Sequence, residues 1–190
     1  MSKQFVVTPA GMKKAEAMCE KKGTSCAVLM RNVGSAVALH ISRIAKPCRT
    51  AVLVGSGNNG GDGFALAHNL RKRDFTPVII MTGSAPKTDL AKECYEEYRT
   101  DYENVLSYPD EPEKVLSEIA SCGVIADCVY GTGFHGELHP DIRRLFSYCN
   151  ESAALRFSAD IASGCNANDG SADKYSFRAD MTFALGAVKT

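Results

Sequence analysis

The sequence predicts a doubly wound α/β domain: a mostly parallel sheet with helices on both faces, preceded by an N-terminal helical segment. Three observations predict it. From residue 50 onward, short apolar runs alternate with amphipathic stretches. The runs are continuous rather than apolar-polar alternating, as strands buried on both faces are. Glycine-rich or small polar turns follow three of the runs, where such a sheet binds its ligands.

The elements follow in order. Thr8-Pro9 is a helix start signal, and Met12 to Lys22 is amphipathic up to Gly23. A longer helix is predicted from Ser25 to Ile44, with Val28, Leu29, Val33, Val37 and Ile41 inward, ended by Pro47. Strands are expected near 50–55, 77–82, 104–107, 123–129, 154–160 and 181–185. Helices are expected between them, near 62–73, 87–103, 111–121 and 137–149. In the first of these, Phe64, Leu66, Ala67 and Leu70 are spaced for one apolar face. The charged stretch Lys87 to Glu103 reads as a solvated helix face. His40 and His68 fall in helices and read as structural.

Composition narrows the function classes. A length of 190 residues suits one domain, 1–190, large enough for a covered sheet. Lys plus Arg equals Asp plus Glu at 22 each, so no net charge draws the chain to nucleic acid or a membrane surface. No apolar run approaches the roughly 20 residues of a membrane span, and Met1 to Val7 is not a signal peptide. A soluble, cytoplasmic protein is expected. The eight cysteines include no C-x-x-C pair and read as small hydrophobes held reduced.

The chemistry concentrates in three turns. Gly55 to Gly63 holds five glycines in nine residues between a strand and a helix. Glycines let a backbone approach a phosphate, and the free N–H groups of a helix start point at it. The competing reading is a tight turn that only joins two elements. Gly55, Gly57 and Gly60 satisfy G-x-G-x-x-G, but the next strand runs into Thr82-Gly83-Ser84 without the acid of an ordinary NAD site. No Gly-Lys-Ser/Thr follows, which disfavours a P-loop. The second turn places Asp127 near a strand end, ahead of Gly131, Thr132, Gly133, Phe134, His135, Gly136 and Glu137. The third places Asp160 before Ser163 and Gly164. If these strands are neighbours, Asn59, Asp127 and Ser163 converge with Asp62 and Asp160. Oxygen ligands of this type favour a hard cation over zinc. His135, Glu137 and His139 lack H-e-x-x-h spacing, and Pro140 argues against one helix carrying all three.

Taken together these segments resemble the YjeF N-terminal domain family, the NAD(P)H-hydrate epimerases. The G-x-G-N-N-G-G-D-G loop is present in full at Gly55 to Gly63. D-x-x-x-G-T-G-F-x-G appears from Asp127 to Gly136, and D-I-P-S-G-x-x-A-x-x-G from Asp160 to Gly170 with Ala162 in place of proline. Leu29 to Gly34 corresponds to L-M-x-N-A-G, with Val33 for alanine, and Asp180 to Phe183 with Gly186 and Lys189 to the last signature.

The resemblance implies a Rossmann-like fold and interconversion of the R and S epimers of hydrated NADH or NADPH. A partner dehydratase, separate or fused, then restores the cofactor. It implies a potassium ion held by Asn59, Asp127 and Ser163. Substrate contacts are implied at Asn58, Asn59, Gly60, Gly61, Asp62, the Gly131 to Glu137 loop and Asp160. Proton transfer is assigned to Asp160 first and Asp62 second, since inversion at a carbinolamine carbon needs a positioned acid or base. A homodimer is expected. The sequence ends at Thr190, where the family commonly continues, so a cropped domain or the front of a longer chain is expected. The rivals are a non-catalytic module of the same fold used for dimerisation and partner binding, and an ordinary NAD-dependent oxidoreductase.

Overall fold

The computed structural model describes residues 6–102 and 104–189. Its elements, in chain order, are β1 (Val6–Val7), α1 (Pro9–Lys21), α2 (Cys26–Ile44), β2 (Arg49–Val54), α3 (Asn58–Arg71), β3 (Thr76–Met81) and α4 (Asp89–Asp101). There follow β4 (Val105–Ser107), α5 (Pro112–Ala120), β5 (Val124–Cys128), α6 (Pro140–Glu151), β6 (Leu155–Ala159), β7 (Met181–Phe183) and β8 (Val188–Lys189).

Local chemistry sets the helix boundaries. Thr8 Oγ1 accepts the Gly11 N–H at 3.1 Å, Ser25 Oγ that of Val28 at 3.3 Å and Thr88 Oγ1 that of Ala91 at 3.2 Å, each satisfying an open donor of a first turn. Pro9, Pro112 and Pro140 open α1, α5 and α6, where their missing N–H costs nothing. For that reason α6 begins at Pro140 rather than at the expected residue 137, and Glu137 stays in the loop. Of the residues expected inward on α2, Val37 and Ile41 are buried, while Val28 is exposed and Met30, Gly34 and Ala38 take the buried face. The end of the charged stretch at Glu103 lies outside the described residues.

Six strands form one sheet in the order β4-β3-β2-β5-β6-β7, with every pairing parallel. Two apolar layers cover it. Alternate residues of the strands, among them Val52, Val54, Ala126 and Phe157, pack with α2, α3 and α4 on one face. Ala51, Leu53, Ile80 and Ile125 pack with α5 and α6 on the other. The near-complete burial of β2 is what the continuous apolar runs encode. The chain builds outward from β2 to β4, then returns to lay β5, β6 and β7 on the other side. The strand order therefore reverses between β2 and β5, and a crevice opens there beyond the strand ends. A second, two-stranded parallel sheet pairs β1 with β8, Val6 opposite Val188. It ties α1 to the segment after β7, and it was not expected.

The glycine segment is not a loop throughout. α3 starts at Asn58, so Asn58 to Asp62 form its first turn. Glycines lack the apolar periodicity that signals a helix, yet two are required here by close approach. A Cβ on Gly60 would collide with the Gly55 carbonyl oxygen, and one on Gly34 of α2 would come within 2.5 Å of the Ala65 carbonyl carbon on α3. Gly60→Ala is expected to cost about 1–3 kcal/mol of overpacking. It would be read as a lower urea midpoint at unchanged slope, and an unchanged midpoint refutes the contact.

Candidate functional site at the strand-order reversal

The ends of β2, β5 and β6 lie side by side, as register pairs Leu53 with Asp127 and Asp127 with Ser158. This brings the three turns to one rim. They line a cleft of about 610 Å³ together with α1. Ser56, Gly57, Asn58, Asn59 and Asp62 come from the first turn, Val129 to His135 and Glu137 from the second, and Asp160 from the third.

Asp127 sits beneath the cleft, fully buried. Its Oδ1 accepts the Ser163 hydroxyl at 2.6 Å and the Val129 N–H at 3.1 Å. Its Oδ2 accepts the Ser163 N–H at 2.8 Å and the Ser158 hydroxyl at 3.0 Å. One carboxylate thereby fastens the second turn to the third. Burial pushes its pKa up to about 6, against the pull of those four donors. Ser163 Oγ also accepts the Tyr130 N–H at 2.8 Å, which fixes the start of the second turn.

Asp160 lies just past β6. Its backbone N–H donates to the Phe183 carbonyl on β7 at 2.9 Å, and its Oδ2 accepts the Thr132 N–H at 3.1 Å. Its φ is 70°, in the left-handed region. For a residue with a Cβ that conformation costs roughly 1–2 kcal/mol, and such strain collects at functional sites. The carboxylate is thus aimed into the cleft by a backbone that β7 and the second turn hold in place.

Asn59 is on the facing side. Both polar atoms of its side chain are buried and lack a hydrogen-bond partner. Its Cβ and Cγ, and Asp160 Oδ2, all crowd the position a Cβ on Gly131 would take. The structure therefore brings Asp127 and Ser163 into direct contact, and places Asn59 beside Gly131 and Asp160. Asn58, Gly57 and Asp62 line the same cleft; Gly60 and Gly61 are buried behind it against the loop and Met30. Gly136 does not line this cleft; with a φ of 82° it turns the loop toward Glu137. His68 packs on α3, 3.7 Å from Asp101, and His40 stacks near Phe183. Cys94, Cys122, Cys128 and Cys149 are buried, as small hydrophobes.

Sequence reasoning missed three contributors. Ser158 anchors Asp127, and a hydroxyl inside an otherwise buried strand was the signal for it. Arg143 bonds both Glu137 at 2.6 Å and the nearly buried Asp173 at 2.9 Å, holding the end of the second turn against the loop after β6. Pro9, Met12, Lys13 and Glu16 of α1 form one wall of the cleft.

The fold and site define a doubly wound α/β protein with an anion-receptive helix start and buried oxygen donors at the strand-order reversal. The chain belongs to the family described as YjeF-related protein N-terminus, whose pattern matches residues 26–190. It is 34% identical over 165 residues to the bifunctional NAD(P)H-hydrate repair enzyme Nnr of Helicobacter pylori, covering 86% of this chain and 34% of that one. It is 28% identical over 175 residues to the NAD(P)H-hydrate epimerase of Pirellula staleyi, covering 89% of this chain and 76% of that one. The chain thus spans about a third of the bifunctional relatives' length, 34% and 33% for two of them. The crystal structure of yeast ynu0 superposes with a TM-score of 0.78 at 20% identity, covering 97% of this chain and 82% of that one, and shares the fold. No described helix is long and apolar enough to cross a membrane.

Proposed function

We propose that this domain is an NAD(P)H-hydrate epimerase, interconverting the R and S forms of hydrated NADH or NADPH. The observation that carries the reading is the convergence of the α3 start, the Asn59 amide and the Asp160 carboxylate on one cleft. α3 offers open N–H groups to phosphate, with Gly57 as a cap that has no side chain in the way. Asp160 offers its carboxyl group, entering the cycle as the acid, to the hydroxyl on the hydrated carbon. Loss of the hydroxyl as water needs a proton delivered to its oxygen and leaves an iminium ion. Return of water to the opposite face releases that proton, which Asp160 Oδ takes back, so the cycle balances. Asp62, in the first turn of α3, stands second for this role.

A potassium ion belongs to the same proposal, and the donor set fits one. Asp127 is a buried charge with no cationic partner among the described residues, an arrangement that is costly without compensation. The Asn59 amide oxygen is buried without a donor. Asn59, Asp127 and Ser163 would hold the ion, and its positive charge would offset Asp127 and order the turns around the substrate. A dehydratase acting on one epimer is the functional partner, and a homodimer and a cytoplasmic setting complete the reading.

The test mixes hydrated NADH epimers with the protein and follows their ratio by chromatography. Interconversion well above the buffer control is expected in potassium. Replacing potassium by lithium is expected to slow it at least about tenfold, the loss of roughly 1.4 kcal/mol of stabilisation. A ratio that relaxes no faster than in buffer leaves the binding-module reading in place. Equal rates in both salts remove Asn59, Asp127 and Ser163 as an ion site.

A further inference from the structure

The geometry points to Lys13 on α1 as a phosphate-binding residue of the cleft, engaging the pyrophosphate of a dinucleotide. The inference rests on the dinucleotide reading above and adds the α1 wall to it.

The charge inventory of the cleft is lopsided. Among the described residues that line it, Glu16, Asp62, Glu137 and Asp160 are acids, Glu137 being paired with Arg143 behind the cleft, and Lys13 is the only lysine or arginine. A pyrophosphate brings two more negative charges. Oriented amides at the start of α3 meet part of that demand, but they carry partial charges only. A full positive charge on α1 meets the rest. Lys92 and Lys114 are each paired with an acid on or at the start of their own helix, whereas no ion pair of Lys13 is found among the described residues. Lysine suits this role, as a compact charge on a flexible stem that reaches a phosphate without a fixed fork geometry.

α1 is not a core helix. The helix has no fully buried residue, so it does not contribute a core face. It is held instead by the β1–β8 pairing and by Met12, whose methyl lies where a Cβ on Gly186 would be. Those two ties hold α1 at the cleft, with Lys13 exposed and Ser56, Gly57 and Asn58 among the other lining residues. A phosphate in this cleft has the start of α3 and Lys13 in one lining.

The experiment measures calorimetric binding of ADP-ribose, which keeps the pyrophosphate, and of adenosine, which lacks it. Wild type, Lys13→Ala and Lys13→Arg are compared at two ionic strengths with potassium held constant. Lys13→Ala is expected to weaken ADP-ribose about five- to twentyfold, as the loss of one charge-assisted contact does. Lys13→Arg should stay within about twofold of wild type, and adenosine should bind all three alike. The salt dependence of ADP-ribose binding should be shallower in Lys13→Ala. In the epimerase assay KM should rise with kcat retained. Equal ADP-ribose affinity in wild type and Lys13→Ala overturns the inference, as does a wild type that does not bind ADP-ribose at millimolar concentration. A wild type that binds ADP-ribose through Lys13 yet leaves the epimer ratio untouched sinks the epimerase reading and leaves this site standing.

Discussion

Asp160→Asn is expected to lower kcat for epimer interconversion by about 10²–10⁴-fold, the usual contribution of a positioned acid or base. The substitution suits the question because it spares the structure. Asparagine tolerates the left-handed conformation that Asp160 adopts at φ 70°, and its amide oxygen can still accept the Thr132 N–H. Unfolding free energy should therefore stay within about 0.5 kcal/mol of wild type. KM should change little, because the lost function belongs to the transition state rather than to binding. Asp160→Ala is a harsher control: it loses the Thr132 contact and the short polar side chain that lets Asp or Asn tolerate the left-handed backbone. Single-turnover kinetics beside a denaturant melt separate the two effects. Near wild-type kcat in Asp160→Asn would move the proton to Asp62, and Asp62→Asn would then carry the larger loss.

The legible and illegible parts of this chain divide along physical lines. β2, β3, β5 and β6 were readable because full burial leaves continuous apolar runs that few other structures tolerate. The juxtaposition of the three turns was readable from topology, since alternating strands and helices force the polar strand ends to one edge of the sheet. The start of α3 was not, because Asn58 to Gly61 carry no periodicity and are set by the Gly60 approach to Gly55. The β1–β8 pair was hidden by its size. Two-residue strands from opposite ends of the chain have no local signature and form only once the rest is in place. The amphipathic pattern of α1 marked a helix without saying what it covers, so Lys13 and Glu16 went unnoticed. The candidate oxygen ligands could be nominated from residue type, but not their mutual contacts. Asp127 and Ser163 bond each other, whereas Asn59 stands apart beside Gly131.

Asp127→Ala is expected to destabilise the domain by about 3–5 kcal/mol, a large part of the roughly 5–15 kcal/mol that holds such a fold together. The residue is the acceptor for four donors at once, two backbone N–H groups and two hydroxyls, all on buried residues. Removing it strands three of those donors, since the Ser163 hydroxyl keeps the Tyr130 carbonyl at 3.2 Å, and unfastens the second turn from the third. The pH dependence gives an independent check. Burial raises the Asp127 pKa from its ordinary value of 3.8 to about 6, so the native state binds this proton more tightly than the unfolded chain does. Stability from this group is therefore fully present below about pH 4 and is lost as pH rises through about 6. Asp169, Asp173 and Asp180 shift the other way through their hydrogen bonds, and their contributions are lost as pH falls. The difference between wild type and variant isolates Asp127. In potassium-free buffer the wild-type advantage over Asp127→Ala should shrink by on the order of 2 kcal/mol between pH 4 and 8. Potassium should restore part of it at the upper end, where the carboxylate is charged. Urea titrations at several pH values with and without the ion read both effects. A pH-independent difference would mean that Asp127 keeps its charge throughout, with its four donors alone outweighing the cost of burial.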